Sequence, residues 1–417
     1  MMNMGLIGTG TVGSGVIFID QKNGDKLSAS AKTPFKLHTL CDLDFSGSAY
    51  DLSTYSLTSN WRELVDNPDI DIVVELIGGD EPARTIIETA LSKGKHVVTA
   101  NKLVIAKYGK ELFALAKAKG VHLLFEAAVG GAVPIIKPLR STLLPNHIKG
   151  IYGIVNGTTN FILTAMQNQG SGYAEVLKEA QKLGYAEADP TSDVGGFDSL
   201  YKLKVLAMVA FGVEVDISDI LIEGITDITS KDIEYCKDMG LVIKLLAIGQ
   251  EREGQLELRV HPVMLAKDHP LAAVNGVYNA IYVIGDAAQD IMFYGRGAGS
   301  IPTASSVWAD VLDIVNDTTY SVDDLRPVKL RSLDTVMSEY YFRFQVKDKT
   351  GVLADIASIL ARHGISVKNA VQKGLGDDAE LVMITHTVSE SAKNEALSEI
   401  NSLSSVSKIS GVIRVGI

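Results

Sequence analysis

The 417-residue chain has only two cysteines, Cys41 and Cys236, far apart and without metal-ligand spacing. That scarcity argues against a disulfide framework or a zinc site and fits a reducing compartment, so a cytoplasmic setting is expected. Positive charge is also short: 39 Lys and Arg face 50 Asp and Glu, a net charge of −11. With no global basic field to attract phosphate backbones or anionic lipid, neither nucleic acid nor a membrane surface is an expected partner. Long apolar runs are missing as well. Residues 123–136 and 203–213 are interrupted by Glu126 and Lys204 and are too short for a bilayer-spanning helix. Residues 4–7 run straight into a glycine turn with no basic segment before them, so no signal peptide is expected.

What remains is an ordinary globular composition, 46% hydrophobic and 21% charged. At about 150 residues per domain, the length suggests roughly three domains. Residues 1–130 alternate short apolar strands with helical patterns, as the βαβ units of a parallel sheet do. The strands are expected at 4–7, 36–40, 70–75, 96–99 and 122–125, with helices at 81–93 and 107–119 between them. Residues 131–320 continue as mixed α/β, with a helix over 199–211, and read as a substrate and association domain. Residues 321–339 carry mixed charges with little periodicity and read as a connector. The last 78 residues, 340–417, hold 9 basic and 8 acidic residues, so the acidic excess lies almost entirely in the rest of the chain.

The first chemical signal is Gly8-Thr9-Gly10-Thr11-Val12-Gly13, directly after a strand and opening a helix. Gly8 allows a tight turn, Gly10 lets a pyrophosphate approach the backbone, and Gly13 permits close packing of a helix whose N-terminus offers free N–H groups. The bland alternative is a plain βα turn. Asp42, at the end of the second strand, is the acid that would bond a ribose 2′-OH, although it lies 29 residues beyond Gly13 instead of about 20. It could equally be a solvated loop carboxylate. No Lys or Arg lies between Leu37 and Arg62, which leans toward NAD over NADP without settling it.

Lys102 falls just past the carboxyl end of a strand, where open α/β sheets bind ligands. The densest cluster spans residues 184–202, with Glu187, Asp189, Asp193, Asp198 and Lys202 inside 19 residues. Asp198 sits where a helix is expected to start, and Lys202 projects from the same face four residues on. The bland reading is an N-cap with a helical ion pair worth about 0.2–0.5 kcal/mol. Hydride transfer to a carbonyl leaves an alkoxide that needs a proton, for which a partly buried lysine is suited; Lys202 and Lys102 are the candidates. Glu187 and Asp198 are placed to receive the ammonium group of an amino-acid substrate.

Four motifs in order carry a resemblance to the homoserine dehydrogenases: residues 6–13, Thr99-Ala100-Asn101-Lys102, Asn156-Gly157-Thr158-Thr159-Asn160, and the 184–202 block. Residues 340–417 resemble an ACT domain, a βαββαβ ligand-binding module, with Asp348-Lys349-Thr350-Gly351-Val352-Leu353 as its first turn. The resemblance implies an α/β architecture in three parts. These are a Rossmann-type doubly wound parallel sheet (1–130, completed by a returning segment near 295–320), a catalytic and dimerisation domain (131–320), and the ACT domain after the connector.

It further implies reversible NAD(P)-linked interconversion of L-aspartate 4-semialdehyde and L-homoserine, on the route to threonine, methionine and isoleucine. Lys202 would be the proton donor, with Lys102 and Asp198 beside it at the reacting centre. Glu187 and Asp198 would hold substrate. Gly8, Gly10, Thr11, Val12, Gly13, Lys102, Gly184 and Gly299 would contact the cofactor. A structural sodium ion would lie on the Glu126 side chain and the carbonyls of Val129, Gly131 and Val133. A homodimer or larger assembly and an amino-acid effector at the ACT domain, with threonine foremost, complete the expectation. The competing readings are another NAD(P)-linked amino-acid oxidoreductase and a non-catalytic dinucleotide and amino-acid sensor.

Overall fold

A computed structural model describes every residue of the chain except Asp323, and the side chain of Leu375 is likewise left undescribed. The first layer contains β1 (Met2–Ile7), α1 (Thr11–Ala29), β2 (Phe35–Cys41), β3 (Ser56–Thr58), α2 (Trp61–Asp66), β4 (Ile72–Glu75), α3 (Ala83–Ser92), β5 (His96–Thr99), α4 (Lys102–Lys119) and β6 (Leu123–Leu124). Its parallel strands run in the order β3-β2-β1-β4-β5-β6. Every residue of β4 is buried, as expected of a strand covered on both faces by crossover helices. Register aligns Ile7 with Cys41 and with Glu75, and Glu75 with Thr99. The carboxyl ends of four strands therefore form one row, with the order reversing between β1 and β4, where such sheets bind ligands.

The second layer starts with the short α5 (Ile136–Arg140), β7 (Ile148–Ile154), α6 (Gly157–Gln169), α7 (Tyr173–Lys182), α8 (Thr191–Val194) and α9 (Phe197–Phe211). Two-residue strands β8 (Val213–Glu214) and β9 (Leu221–Ile222) lead to α10 (Ser230–Asp238), then to β10 (Leu241–Arg252), β11 (Gln255–Ala266), β12 (Tyr278–Gly285) and β13 (Gln289–Arg296). The long hairpins are antiparallel, and β11 alternates: Leu256, Leu258 and Val260 join the main core while Arg259, His261 and Val263 lie on the opposite face. Next, α11 (Ser300–Asn316) returns to the first layer, where the Trp308 indole N–H donates to the carbonyl of Val16 at 3.1 Å.

Within 321–339, β14 (Arg326–Pro327) pairs with β8, and Leu325 and Val336 are buried. The chain then forms β15 (Met337–Lys347), α12 (Val352–Arg362), β16 (Val367–Leu375), β17 (Asp378–Thr385), the two-residue β18 (Val388–Ser389), α13 (Glu390–Asn401) and β19 (Val406–Val415). The spacing of Val352, Ile356, Ile359 and Leu360 gives α12 one buried face against this sheet, each side chain contributing about 1.5–3 kcal/mol. Gly351 precedes the helix at φ +96°, a conformation that favours glycine. The strand order is β19-β15-β17-β16, and β19 pairs with β11 through Val263–Arg414 and Met264–Val415. One edge of the terminal module thus continues the larger sheet within the same chain. Arg343 reinforces the junction by bonding both carboxylate oxygens of Asp232 on α10, at 2.8 and 3.2 Å.

Candidate active site

The glycine turn is built as its sequence requires. A Cβ on Gly13 would lie 2.0 Å from the Gly8 carbonyl, and Gly8 has φ +95°, whereas a Cβ on Gly10 would meet nothing within 4 Å. The backbone at Gly10 is therefore open to an incoming group, and α1 starts at Thr11 with neither a side-chain cap nor an acidic residue in its first turn. These features fit a dinucleotide pyrophosphate. Gly10→Ala is expected to leave thermal stability within about 0.5 kcal/mol of the parent while weakening dinucleotide binding at least about tenfold. Gly13→Ala is expected to destabilise the fold by about 1–3 kcal/mol. Thermal melts and cofactor titration of the two variants check the contrast.

Asp42 lies at the rim of a cavity of about 410 Å³ that also touches Gly8, Gly10, Trp61 and Ile77. Its carboxylate accepts from the Thr9 N–H at 2.6 Å, the Thr9 hydroxyl at 2.7 Å and the Leu43 N–H at 2.7 Å. Burial alone would raise its pKa, but these hydrogen bonds outweigh burial and hold it below the usual range.

A second cavity, of about 560 Å³, opens where the Rossmann layer meets the second layer. Val12, Lys102, Gly184 and Gly299 reach it from four separate segments, as do Asn156, Asp193, Asp198 and Lys202. The helix carrying Asp198 begins at Phe197 behind Gly196, so Asp198 belongs to its first turn and does not cap it. Its Oδ2 accepts from Lys202 Nζ at 2.6 Å and from the Asn156 amide at 2.9 Å, and its Oδ1 pairs with Lys102 Nζ at 3.0 Å. One buried carboxylate thus holds two ammonium groups. Burial would push it up, but the two cations overcome this and hold it well below the carboxylate range.

The two lysines differ in depth and in charge preference. The Lys202 side chain is 12% exposed and also donates to the Val155 carbonyl at 2.7 Å. Burial, together with the charge of Lys102, lowers its pKa more than Asp198 restores it. Lys102 is 39% exposed at its side chain, and attraction to Asp198 raises its pKa. Lys202 is therefore the lysine whose proton is easier to lose.

Several supporting residues were not given roles by sequence reasoning. Asn156 caps α6 through its Oδ1 and bridges Asp193 (2.7 Å) to Asp198 with its amide. Its position before a helix reveals the cap, but partners 37 and 42 residues away are invisible in the sequence. Glu75, fully buried at the end of β4, accepts from the Ile77 and Gly78 N–H groups and from the Thr99 hydroxyl, which in turn accepts from the N–H of Asn101, the cap of α4. A lone acid in the apolar run Ile72-Val73-Val74-Glu75 was the signal available for it.

Glu187, Glu126 and Thr11 do not line the 560 Å³ cavity. Glu187 is exposed and absent from the cavity wall, acting on Lys102 only through its charge. The loop after α7 turns it outward. The Glu126 carboxylate accepts from the N–H groups of Ile135, Ile136 and Lys137 at 2.6–2.8 Å, and the Gly131 carbonyl accepts from the Ser306 hydroxyl at 2.7 Å. Thr11 is exposed beyond the cavity walls.

A parallel sheet with an open glycine turn, feeding a cavity that holds a buried Asp–Lys pair, defines a nicotinamide-dependent oxidoreductase. Family models agree: "Homoserine dehydrogenase, NAD binding domain" matches residues 8–126, "Homoserine dehydrogenase" matches 134–312, and "ACT domain" matches 340–405. A homoserine dehydrogenase of Synechocystis sp. is 44% identical over 99% of both chains. The crystal structure of a homoserine dehydrogenase from Thiobacillus denitrificans superposes with a TM-score of 0.95 at 41% identity, covering 100% of this chain and 98% of that one. A hyperthermophilic archaeal homoserine dehydrogenase in complex with NADPH matches 77% of this chain and 99% of its own, with a TM-score of 0.66 and 30% identity. The chain belongs to the homoserine dehydrogenase family, NAD(P)-dependent oxidoreductases acting on a CH–OH group, and carries a C-terminal ACT domain.

Proposed function

We propose that the 560 Å³ cavity interconverts L-aspartate 4-semialdehyde and L-homoserine, in the synthesis of threonine, methionine and isoleucine, with Lys202 handling the proton. The carrying observation is the Asp198–Lys202 pair, buried at the cavity wall and supported by Val155 and Asn156. A reduced nicotinamide bound in this cavity would supply the hydride to the aldehyde carbon. As the C=O π pair collapses onto oxygen, Lys202 Nζ–H gives that oxygen its proton, and the neutral amine takes it back in the oxidative direction. Asp198 fixes the Nζ position and compensates the ammonium charge. Lys102, at the start of α4, adds a second cation for the developing alkoxide. Glu187 serves the substrate ammonium from the cavity entrance, on charge and position in the 184–202 segment.

For the cofactor, the ionised Asp42 and the absence of Lys or Arg among the residues lining the 410 Å³ cavity support NAD over NADP. Gly8, Gly10, Thr11, Val12 and Gly13 would hold its pyrophosphate side, and Gly184 and Gly299 the nicotinamide side. Purified protein with L-homoserine, read by nicotinamide absorbance, is expected to show kcat/KM for NAD⁺ at least about tenfold above that for NADP⁺. A preference for NADP⁺ contradicts this assignment, and no homoserine-dependent signal with either cofactor contradicts the reaction.

A sodium ion is compatible with Glu126 and the carbonyls of Val129, Gly131 and Val133. A carboxylate has about four acceptor positions, of which three take N–H groups here. Burial and the neighbouring Glu126 push the Asp310 pKa well up, a cost to its charged form that a cation would offset. Among the described residues no cluster of three or more His, Cys, Asp or Glu side chains could bind a metal, so such a site depends on carbonyl oxygens. The ACT domain would bind an amino-acid effector, threonine foremost, in a cytoplasmic homodimer or larger assembly.

A further inference from the structure

Lys244 is a buried ammonium with no part in the proton transfer. It lies on β10 at 1% exposure, on the sheet face that also carries Val242 and Leu246. Burial pushes its pKa down to about 8, and no carboxylate among the described residues compensates it. Its Nζ instead donates to three neutral oxygens: the Val274 carbonyl at 2.5 Å, the Asn275 Oδ1 at 3.1 Å and the Asn160 Oδ1 at 3.2 Å. An ammonium has three N–H donors, so each has a partner.

Two of these acceptors belong to the turn over residues 274–278 that leads into β12, and the third is on α6. Asn160 extends the connection. Its amide donates to the carbonyls of Val274 at 3.2 Å and Tyr278 at 3.1 Å, the two ends of that turn. Four residues further along α6, the Thr164 hydroxyl donates to the Asn160 carbonyl at 2.6 Å and accepts from the Gly276 N–H at 3.2 Å. The turn is thereby held at both ends and in its middle. A lysine is a costly filler for an apolar sheet face, whereas a cation with three donors is suited to fixing a turn whose oxygens point inward.

The turn forms a wall of the 560 Å³ cavity. Val277 lines that cavity beside Gly157 and Thr158, and a Cβ on Gly157 would lie 3.0 Å from the Val277 carbonyl. Tyr278 pairs across β12 and β13 with Arg296, another wall residue, whose guanidinium lies 5.5 Å from the centre of the Tyr278 ring. The reacting pair is secured separately, Asp198 by the Asn156 amide and Lys202 by the Val155 carbonyl.

We propose that Lys244 is a positioning residue for the substrate side of this cavity, acting through the 274–278 turn on Val277 and Arg296 and leaving the Asp198–Lys202 pair in place. The inference rests on the reading of the cavity as the homoserine site.

The test combines steady-state kinetics with L-homoserine and hydrogen–deuterium exchange, on full-length wild type, Lys244→Met and Thr164→Val. Lys244→Met is expected to raise KM for L-homoserine about tenfold or more, with kcat and the cofactor KM within about threefold, and to speed exchange at residues 275–277. A lysine that served stability alone would lower the melting temperature and leave that KM unmoved. Thr164 is half-buried and its valine variant removes the Gly276 bond, so it keeps the test decisive if Lys244→Met fails to fold; it should raise the same KM about threefold. An unchanged homoserine KM in folded, active variants, or a fall in kcat with KM unmoved, overturns the proposal. Absence of homoserine-dependent turnover in the wild type overturns instead the reading of the cavity on which it rests.

Discussion

Lys202→Met is expected to lower kcat by about 10²–10⁴ in both directions while leaving NAD(P) affinity within about twofold. The side chain lies 2.6 Å from Asp198 and 2.7 Å from the Val155 carbonyl, so it occupies a fixed position at the cavity wall. Methionine has similar length and flexibility, but it cannot give or take a proton. Lys202→Arg should be nearly as slow, because guanidinium keeps the charge yet does not deprotonate in the working range. Steady-state rates for both variants, beside a cofactor titration, separate lost proton transfer from lost binding. Full turnover in either variant would assign the proton to another group.

Asp198→Asn carries the second large effect. A buried ion pair that loses one partner costs about 3–5 kcal/mol, and here one carboxylate serves two ammonium groups. We expect a lower melting temperature and a fall in kcat of about 10². The pH profile distinguishes this from general damage. Asp198 raises the Lys202 pKa against the lowering effect of burial, so its removal moves the Lys202 titration to lower pH. The alkaline fall of aldehyde reduction and the rise of homoserine oxidation should both shift in that direction. Loss of rate with the profile unmoved would leave Asp198 with a purely structural role.

The sequence showed most clearly what depends on local order. The glycine turn, the strand at residues 96–99 and the i,i+4 relation of Asp198 to Lys202 follow from spacing, and each stands in the structure. The stretch 56–66 was not recognised as structured, because β3 and α2 are short and largely polar outside the buried Leu64 and Val65. The expected helix at 107–119 starts five residues earlier, since Asn101 caps it and brings Lys102 into the first turn. What sequence could not show is convergence across the chain. The Lys102–Asp198 pair spans 96 positions, and its geometry depends on two layers meeting at the cavity. Glu126 illustrates the same point. Its carboxylate reaches the N–H groups of residues 135–137 only because Gly130 and Gly131, at φ +75° and +58°, turn the chain back.

The ACT domain is joined more tightly than a connector between modules suggests. β19 extends the sheet of β11, and Arg343 anchors the junction on Asp232. Helix α9, which bears Asp198 and Lys202, packs on β10 and β11 of that same sheet. The Asp198–Lys202 pair and the junction with the terminal module therefore share one continuous structural layer.

The most direct measurement is kcat/KM against pH in both directions, for wild type and Lys202→Met. On the proposed mechanism, aldehyde reduction needs Lys202 protonated and homoserine oxidation needs it neutral. For wild type, reduction should therefore fall and oxidation rise as pH passes through a value below the ordinary lysine range, and both limbs should vanish in the variant. Limbs of the same sign, or limbs that survive in Lys202→Met, would contradict the assignment of the proton to Lys202.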